Sequence, residues 1–220
     1  MVLVRPFALV LTLLALLAAP TVLAQSTSRS VTWERYDVDI TLLQGGAFDV
    51  VETQRIYFDG TYRRGFREIP LAKVTAISDI SVEEDGRPYT RGSSQDFGYT
   101  IGRDNDRVRI DWSFPPTTNT PRTFVIRYRA EGALRVFDEA DQVFWQAIYA
   151  DRPGFVRDGV VSVHLPTAVT PDQVVLQALP EAALLDARMS DPRTARLTTG
   201  GLTAGTGFEI RVQIPHGIVQ

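Results

Sequence analysis

From Tyr36 onward, apolar side chains return at every second position, while the three-to-four spacing of a helical face is nearly missing. Tyr36, Val38, Ile40 and Leu42 share one side of an extended chain, and Asp37, Asp39 and Thr41 share the other. A period of two marks a half-buried strand, because successive side chains of a strand point to opposite faces. The pattern resumes after Gln44-Gly45-Gly46 in Phe48, Val50, Ile56 and Phe58, which predicts a first long hairpin. Asp85-Gly86 tolerates the positive φ angles of a tight turn and predicts a second hairpin between residues 74–84 and 87–90. In residues 107–114, Val108, Ile110, Trp112 and Phe114 face inward and Arg107, Arg109 and Asp111 face water. Pro115, Pro116 and Pro121 enclose an expected Thr/Asn-rich loop, after which Phe124, Ile126 and Tyr128 resume the alternation. Further strands are predicted over 97–103, 143–148, 160–165, 174–179, 195–199 and 208–214, with a short helical turn within 181–188. About ten strands with so little helix predict an all-β fold, an antiparallel β-sandwich, since a single flat sheet could not cover so many apolar faces.

The first 24 residues read differently. A short basic start ends at Arg5, residues 7–19 are apolar or small save Thr12, and small or modest side chains precede Gln25. This is the pattern of a secretory signal peptide cleaved after Ala24. Its apolar core of about 13 residues is shorter than the roughly 20 a membrane-crossing helix needs. An exported domain is therefore expected over residues 25–220, at the periplasm or cell surface and membrane-associated. One domain is preferred; Pro153-Gly154, Pro166 and Pro171 place a boundary near residue 155 as the point where a second subdomain would begin.

Cysteine is absent, which excludes disulfides, thiol chemistry, zinc thiolates and a lipid-bearing cysteine after the leader. The net charge of −3, about −4 once Arg5 leaves with the signal, argues against nucleic acid, whose phosphates need a basic surface. No cofactor is expected.

Tyr62, Arg63, Arg64, Arg67 and Glu68 form the candidate interaction or structural segment. Three arginines, aromatic rings and a carboxylate could bind a carboxylate, a phosphate or a sugar face. The preferred reading is structural: Arg63, Arg64 or Arg67 pairs with Glu52, Asp59 or Glu68 and pins a loop, with Gly65 at positive φ. Acidic residues at Asp138, Glu139 and Asp141, and the Asp104-Asn105-Asp106 turn, lack the spacing of calcium loops and are read as solvated turns. His164 and His216 lie near prolines at strand ends, with neither a metal-binding repeat nor a nucleophile motif to join. Gly200-Gly201 and Gly205-Thr206-Gly207 precede a strand instead of a helix and read as hairpin glycines, not a phosphate cradle. Trp112 and Trp145 fall in apolar strands, leaving Trp33 as the expected surface aromatic.

Several stretches together carry a family resemblance: residues 48–53 (FDVVET), residues 57–70 (YFDGTYRRGFREIP), Val143-Phe144-Trp145, residues 161–166 (VSVHLP) and Pro215-His216-Gly217. In these the chain resembles the family called domain of unknown function 2207. The resemblance implies a bacterial or archaeal envelope protein whose exported domain normally precedes membrane-spanning helices, with no established activity. The expected function is a non-catalytic binding or assembly module of the cell envelope, with an envelope or membrane protein as partner. The alternative is a carbohydrate- or peptidoglycan-binding sandwich using Trp33, Tyr62 and Arg63. A third reading is an envelope-polymer hydrolase with Glu52 and Glu68 as its carboxylate pair.

Overall fold

The computed structural model describes residues 29–219; the leader expected over residues 1–24 lies outside them. Fourteen strands follow in chain order: β1 (Ser30–Leu42), β2 (Phe48–Pro70), β3 (Ala76–Glu84), β4 (Arg87–Pro88), β5 (Thr90–Arg91), β6 (Gly98–Arg103), β7 (Arg107–Glu131), β8 (Leu134–Val136), β9 (Ala140–Ile148), β10 (Phe155–His164), β11 (Val175–Leu179), β12 (Leu184–Asp191), β13 (Thr194–Leu202) and β14 (Phe208–Pro215). Two single 3₁₀ turns, Pro171–Gln173 and Glu181–Ala183, precede β11 and β12. The second is all that forms of the helical turn expected within 181–188, where the remainder is strand.

The strands make two sheets packed as a sandwich. One has ten strands along the path β12-β13-β10-β1-β2-β7-β3-β4, with β6 and β5 attached beside β7; the other runs β11-β14-β9-β8. The sandwich is as expected, but the larger sheet is mixed, because β1 and β10 pair in parallel, as do β5 and β6. Parallel neighbours need a long crossover. Here the chain leaves β7, builds β8 and β9 in the second sheet, and returns to lie along β1 from the same end. Residues on both sides of position 155 thus share sheets: β10 lies against β1, and β14 against β9.

The first hairpin forms as predicted, from Leu42 opposite Phe48 to Ser30 opposite Asp59. Asp85 and Gly86, at φ 48° and 79°, close the second between Glu84 and Arg87. The expected loop at Pro115, Pro116 and Pro121 is instead the middle of β7, which pairs with β2 from Phe48 opposite Ala130 to Pro70 opposite Arg107. Two register shifts let this ladder absorb its prolines and its bend. At one, Gly60 and Asn119 both take positive φ, and the Gly60 N–H donates to Asn119 Oδ1 at 2.9 Å. At the other, Pro115 and Pro116 fall where Tyr62 and Arg64 pair out of step with Thr117 and Ser113. The shifts change which residues of β2 face the core, from even-numbered positions up to Phe58 to Arg67 and Ile69 beyond.

Aromatic side chains join the sheets. Phe48 and Tyr128 contact Trp145 of β9 at 6.0 and 6.2 Å between ring centroids, and Trp33 and Tyr36 contact Tyr149 at 6.3 Å. These mostly edge-on and tilted contacts bury large rings without stacking them.

Candidate functional site

The densest polar cluster lies inside the sandwich. Glu52 and Arg67, both on β2, have no exposed side chain, and Arg67 Nε donates to the two Glu52 oxygens at 2.8 and 3.0 Å. The same carboxylate accepts the Tyr36 hydroxyl at 2.6 Å, the Tyr128 hydroxyl at 2.8 Å and Gln54 Nε2 at 3.0 Å. Gln54 in turn accepts the Trp33 indole N–H at 2.9 Å. Arg67 Nη1 donates to the Glu68 carbonyl, and its guanidinium lies 4.9 Å from the Tyr149 ring centre. Burial favours neutral Arg67, yet the charge and hydrogen bonds of Glu52, with the surrounding tyrosines, together outweigh it and raise its pKa. Burial, reinforced by Glu52, lifts the Tyr36 and Tyr128 hydroxyls well above the usual range, so both remain donors. The cluster is a closed clasp. Of its polar atoms, Arg67 Nη2 alone lacks a partner among the described residues, and Arg67 lines a cavity of about 120 Å³ with Trp145, Gln146 and Lys73.

The rest of the segment spreads outward along β2. Tyr62 is half-buried beneath the Arg29 guanidinium, 4.2 Å from its ring centre. Arg63 is exposed and 3.7 Å from Asp96, whereas Arg64 is exposed and has no ion pair among the described residues. Gly65 does not adopt the positive φ expected of it. Its requirement is space, since a Cβ there would lie 2.4 Å from the Trp112 ring.

Glu68 faces away from the clasp and accepts Arg109 at 2.7 Å and Arg107 at 3.0 Å. Burial pushes its carboxyl up, but the hydrogen bonds from Arg109 and Arg107 outweigh that and hold it below its ordinary value. Its stabilisation is therefore present above the unfolded carboxylate pKa and lost as pH falls through the lowered folded value. Glu68→Gln is expected to lower stability by at most about 1 kcal/mol at neutral pH, the arginine partners being solvent-screened. In urea unfolding the gap from the parent protein should close in acid; a gap that persists there would exclude this linkage.

Glu52 and Glu68 thus do not converge in a cleft. Trp33 is not the surface aromatic expected of it: it is 4% exposed and points into the core. The reason is a register shift between Trp33 and Arg35, which puts Val31 and Trp33 on the same face as Tyr36 and Val38. His164 Nε2 lies 3.3 Å from Asp39, and His216 Nδ1 3.0 Å from Asp141, which also accepts the Gly217 N–H at 3.2 Å. Among the described residues, no group of three His, Cys, Asp or Glu could hold a metal ion. Asp138 and Glu139 are exposed, and Asp104 accepts the Asp106 and Arg107 N–H groups at 2.9 Å as an ordinary turn residue. The 203–207 segment links β13 to β14 in the other sheet, so its glycines do not close a hairpin.

Sequence reasoning missed Arg152. It is 2% exposed and has no carboxylate partner among the described residues; Nη1 donates to the Tyr149 and Thr206 carbonyls at 2.7 and 2.6 Å, and Nη2 to that of Thr203 at 2.7 Å. Burial lowers its pKa. It ties the chain before β10 to the turn after β13. An arginine between an aspartate and a proline carries no local signal for such a role.

Among solved structures, the chain is similar to an M1 zinc metallopeptidase from Deinococcus radiodurans, at 10% identity and a TM-score of 0.46, over 84% of this chain and 43% of the other. A variant of an M1 zinc metallopeptidase from the same organism, bound to a Tyr-Ser-Ala substrate, gives 11% identity and a TM-score of 0.46, over 83% and 42%. The chain therefore spans less than half the length of either. No curated protein matches it. Among the described residues no helix is long and apolar enough to cross a membrane. The family model described as the N-terminal domain of a predicted membrane protein, DUF2207, matches residues 32–214, from the third residue of β1 to the end of the last buried strand face. With that match, the chain belongs to the DUF2207 family.

Proposed function

We propose that this chain is an exported, non-catalytic binding or assembly module of the cell envelope, partnered by another envelope protein or by the membrane-spanning part of its own assembly. The observation that carries this reading is the closure of the clasp. Glu52, Tyr36 and Tyr128 are at most 2% exposed, so the best-organised carboxylate and hydroxyl groups cannot touch a substrate. Exposed apolar side chains lie at sheet edges. Val136 and Phe137 are 64% and 53% exposed at β8, and Val175 and Leu179 are 47% and 46% exposed on β11. Both strands leave one backbone edge unpaired within the four-stranded sheet, a common place for a further chain to add.

The expected result is no turnover of peptidoglycan, polysaccharide or ester substrates by the purified protein. Product formation would be followed by chromatography beside a Glu68→Gln variant. Turnover by the parent that disappears in the variant would overturn the reading and restore the hydrolase alternative.

A further inference from the structure

We infer that the groove beside Arg64 and Gly65 receives an acidic polypeptide segment, inserting one aliphatic side chain between the aromatic walls. This rests on the reading of the chain as a binding module and names the chemistry of its partner.

The groove holds about 130 Å³ and is walled by Trp33, Phe58, Tyr62, Phe66, Trp112 and Tyr149, with Arg64 at its rim. Two features mark it as more than an imperfection of packing. Trp112 is 1% exposed, and its indole N–H has no acceptor among the described residues. Buried indole donors are normally bonded. Gly65 stands directly opposite Trp112 in the ladder, and a Cβ there would come within 2.7 Å of that nitrogen. The indole therefore fills the space a side chain at position 65 would take, and Trp112 lines the groove with its N–H lacking an acceptor among the described residues. The second feature is charge. Arg64 is the one charged side chain among the groove's lining residues, is exposed and has no ion pair among the described residues, although Arg63 has Asp96 and Arg67 has Glu52.

Together these ask for an apolar group of single-side-chain size, an oxygen to accept the indole N–H, and a carboxylate for the guanidinium. An extended peptide supplies all three: an aliphatic side chain, a backbone carbonyl, and an adjacent Asp or Glu. A sugar suits the groove less. It carries many hydroxyls, whereas the lining is apolar apart from Arg64, the Trp112 N–H and the tyrosine hydroxyls.

The test uses a phage-displayed random heptapeptide library panned on the purified protein, with enriched sequences then made as synthetic peptides. Enrichment of an aliphatic residue beside Asp or Glu is expected. Binding should weaken at least ten-fold in Arg64→Glu. Saturation should displace the Trp112 indole resonance in a ¹H–¹⁵N spectrum, assigned through its contact with the Phe124 ring, 5.4 Å away. Arg64 is exposed and unpaired, so the variant should unfold at the parent's midpoint; should it not, Arg64→Gln provides the same comparison. No enrichment, enrichment of basic or charge-indifferent sequences, an unmoved Trp112 resonance, or displacement by polysaccharide fragments alone would overturn the inference. Mass spectrometry of the recovered peptides separates the two readings. Cleaved peptide would overturn the non-catalytic module and leave the groove standing, while intact peptide that fails to bind would overturn the groove alone.

Discussion

Replacing Arg67 with alanine is expected to destabilise the protein by about 3–5 kcal/mol, the usual loss when one member of a buried ion pair is removed. That is a large part of the roughly 5–15 kcal/mol by which domains are stable. Glu52 would stay in the core, its side chain fully buried, with two tyrosine hydroxyls and an amide still donating to it but no cation. Replacing the whole pair should be milder, because well-packed apolar residues often match a buried ion pair in stability. Here the rescue needs more than two changes. In Glu52→Leu with Arg67→Met, the Tyr36 and Tyr128 hydroxyls lose their acceptor, and each orphaned group costs about 1–3 kcal/mol. Adding Tyr36→Phe and Tyr128→Phe should recover most of the loss. Denaturant midpoints across the series check this; an Arg67→Ala midpoint equal to the parent's would remove the clasp from the account of stability.

Gly154→Ala is the second large effect. The added Cβ would fall 1.9 Å from the Val31 carbonyl oxygen and 2.8 Å from its carbon, and backbone atoms inside a strand cannot swing aside as a side chain can. The chain before Gly154 is held as well, because Arg152 is bonded to four carbonyls and Pro153 has a fixed φ. Relief must come from parting β1 and β10 where Thr32 meets Phe155. A loss of about 3 kcal/mol, the upper end for overpacking, is expected. Gly102→Ala is the control, since its Cβ would meet nothing closer than 3.9 Å; it should stay within about 0.5 kcal/mol of the parent. Equal midpoints for the two variants would show that the β1–β10 contact can yield.

The sequence by itself determined the strands and the inward residues wherever the chain keeps a strict period of two. Tyr36 to Leu42, Phe48 to Phe58, Val108 to Phe114 and Phe124 to Tyr128 are buried as their alternation requires. The turn chemistry of Asp85-Gly86 was equally legible, because it depends on two adjacent residues. The residues of the Tyr62–Pro70 segment were visible too, as was the idea that an arginine there pins the fold. Tertiary structure decided which arginine and against what. Counted by twos, Arg67 falls opposite Glu52; the shifts near Gly60 and Pro115-Pro116 turn it to the same side. A similar shift after Trp33 carries that ring into the core. A single extra residue in a ladder reverses the faces beyond it, and its position depends on a partner strand about sixty residues away. The parallel pairing of β1 with β10 and the four carbonyls around Arg152 are likewise contacts between distant segments. Local propensity fixes which way a side chain alternates, whereas only the packed ladders fix where the alternation is broken.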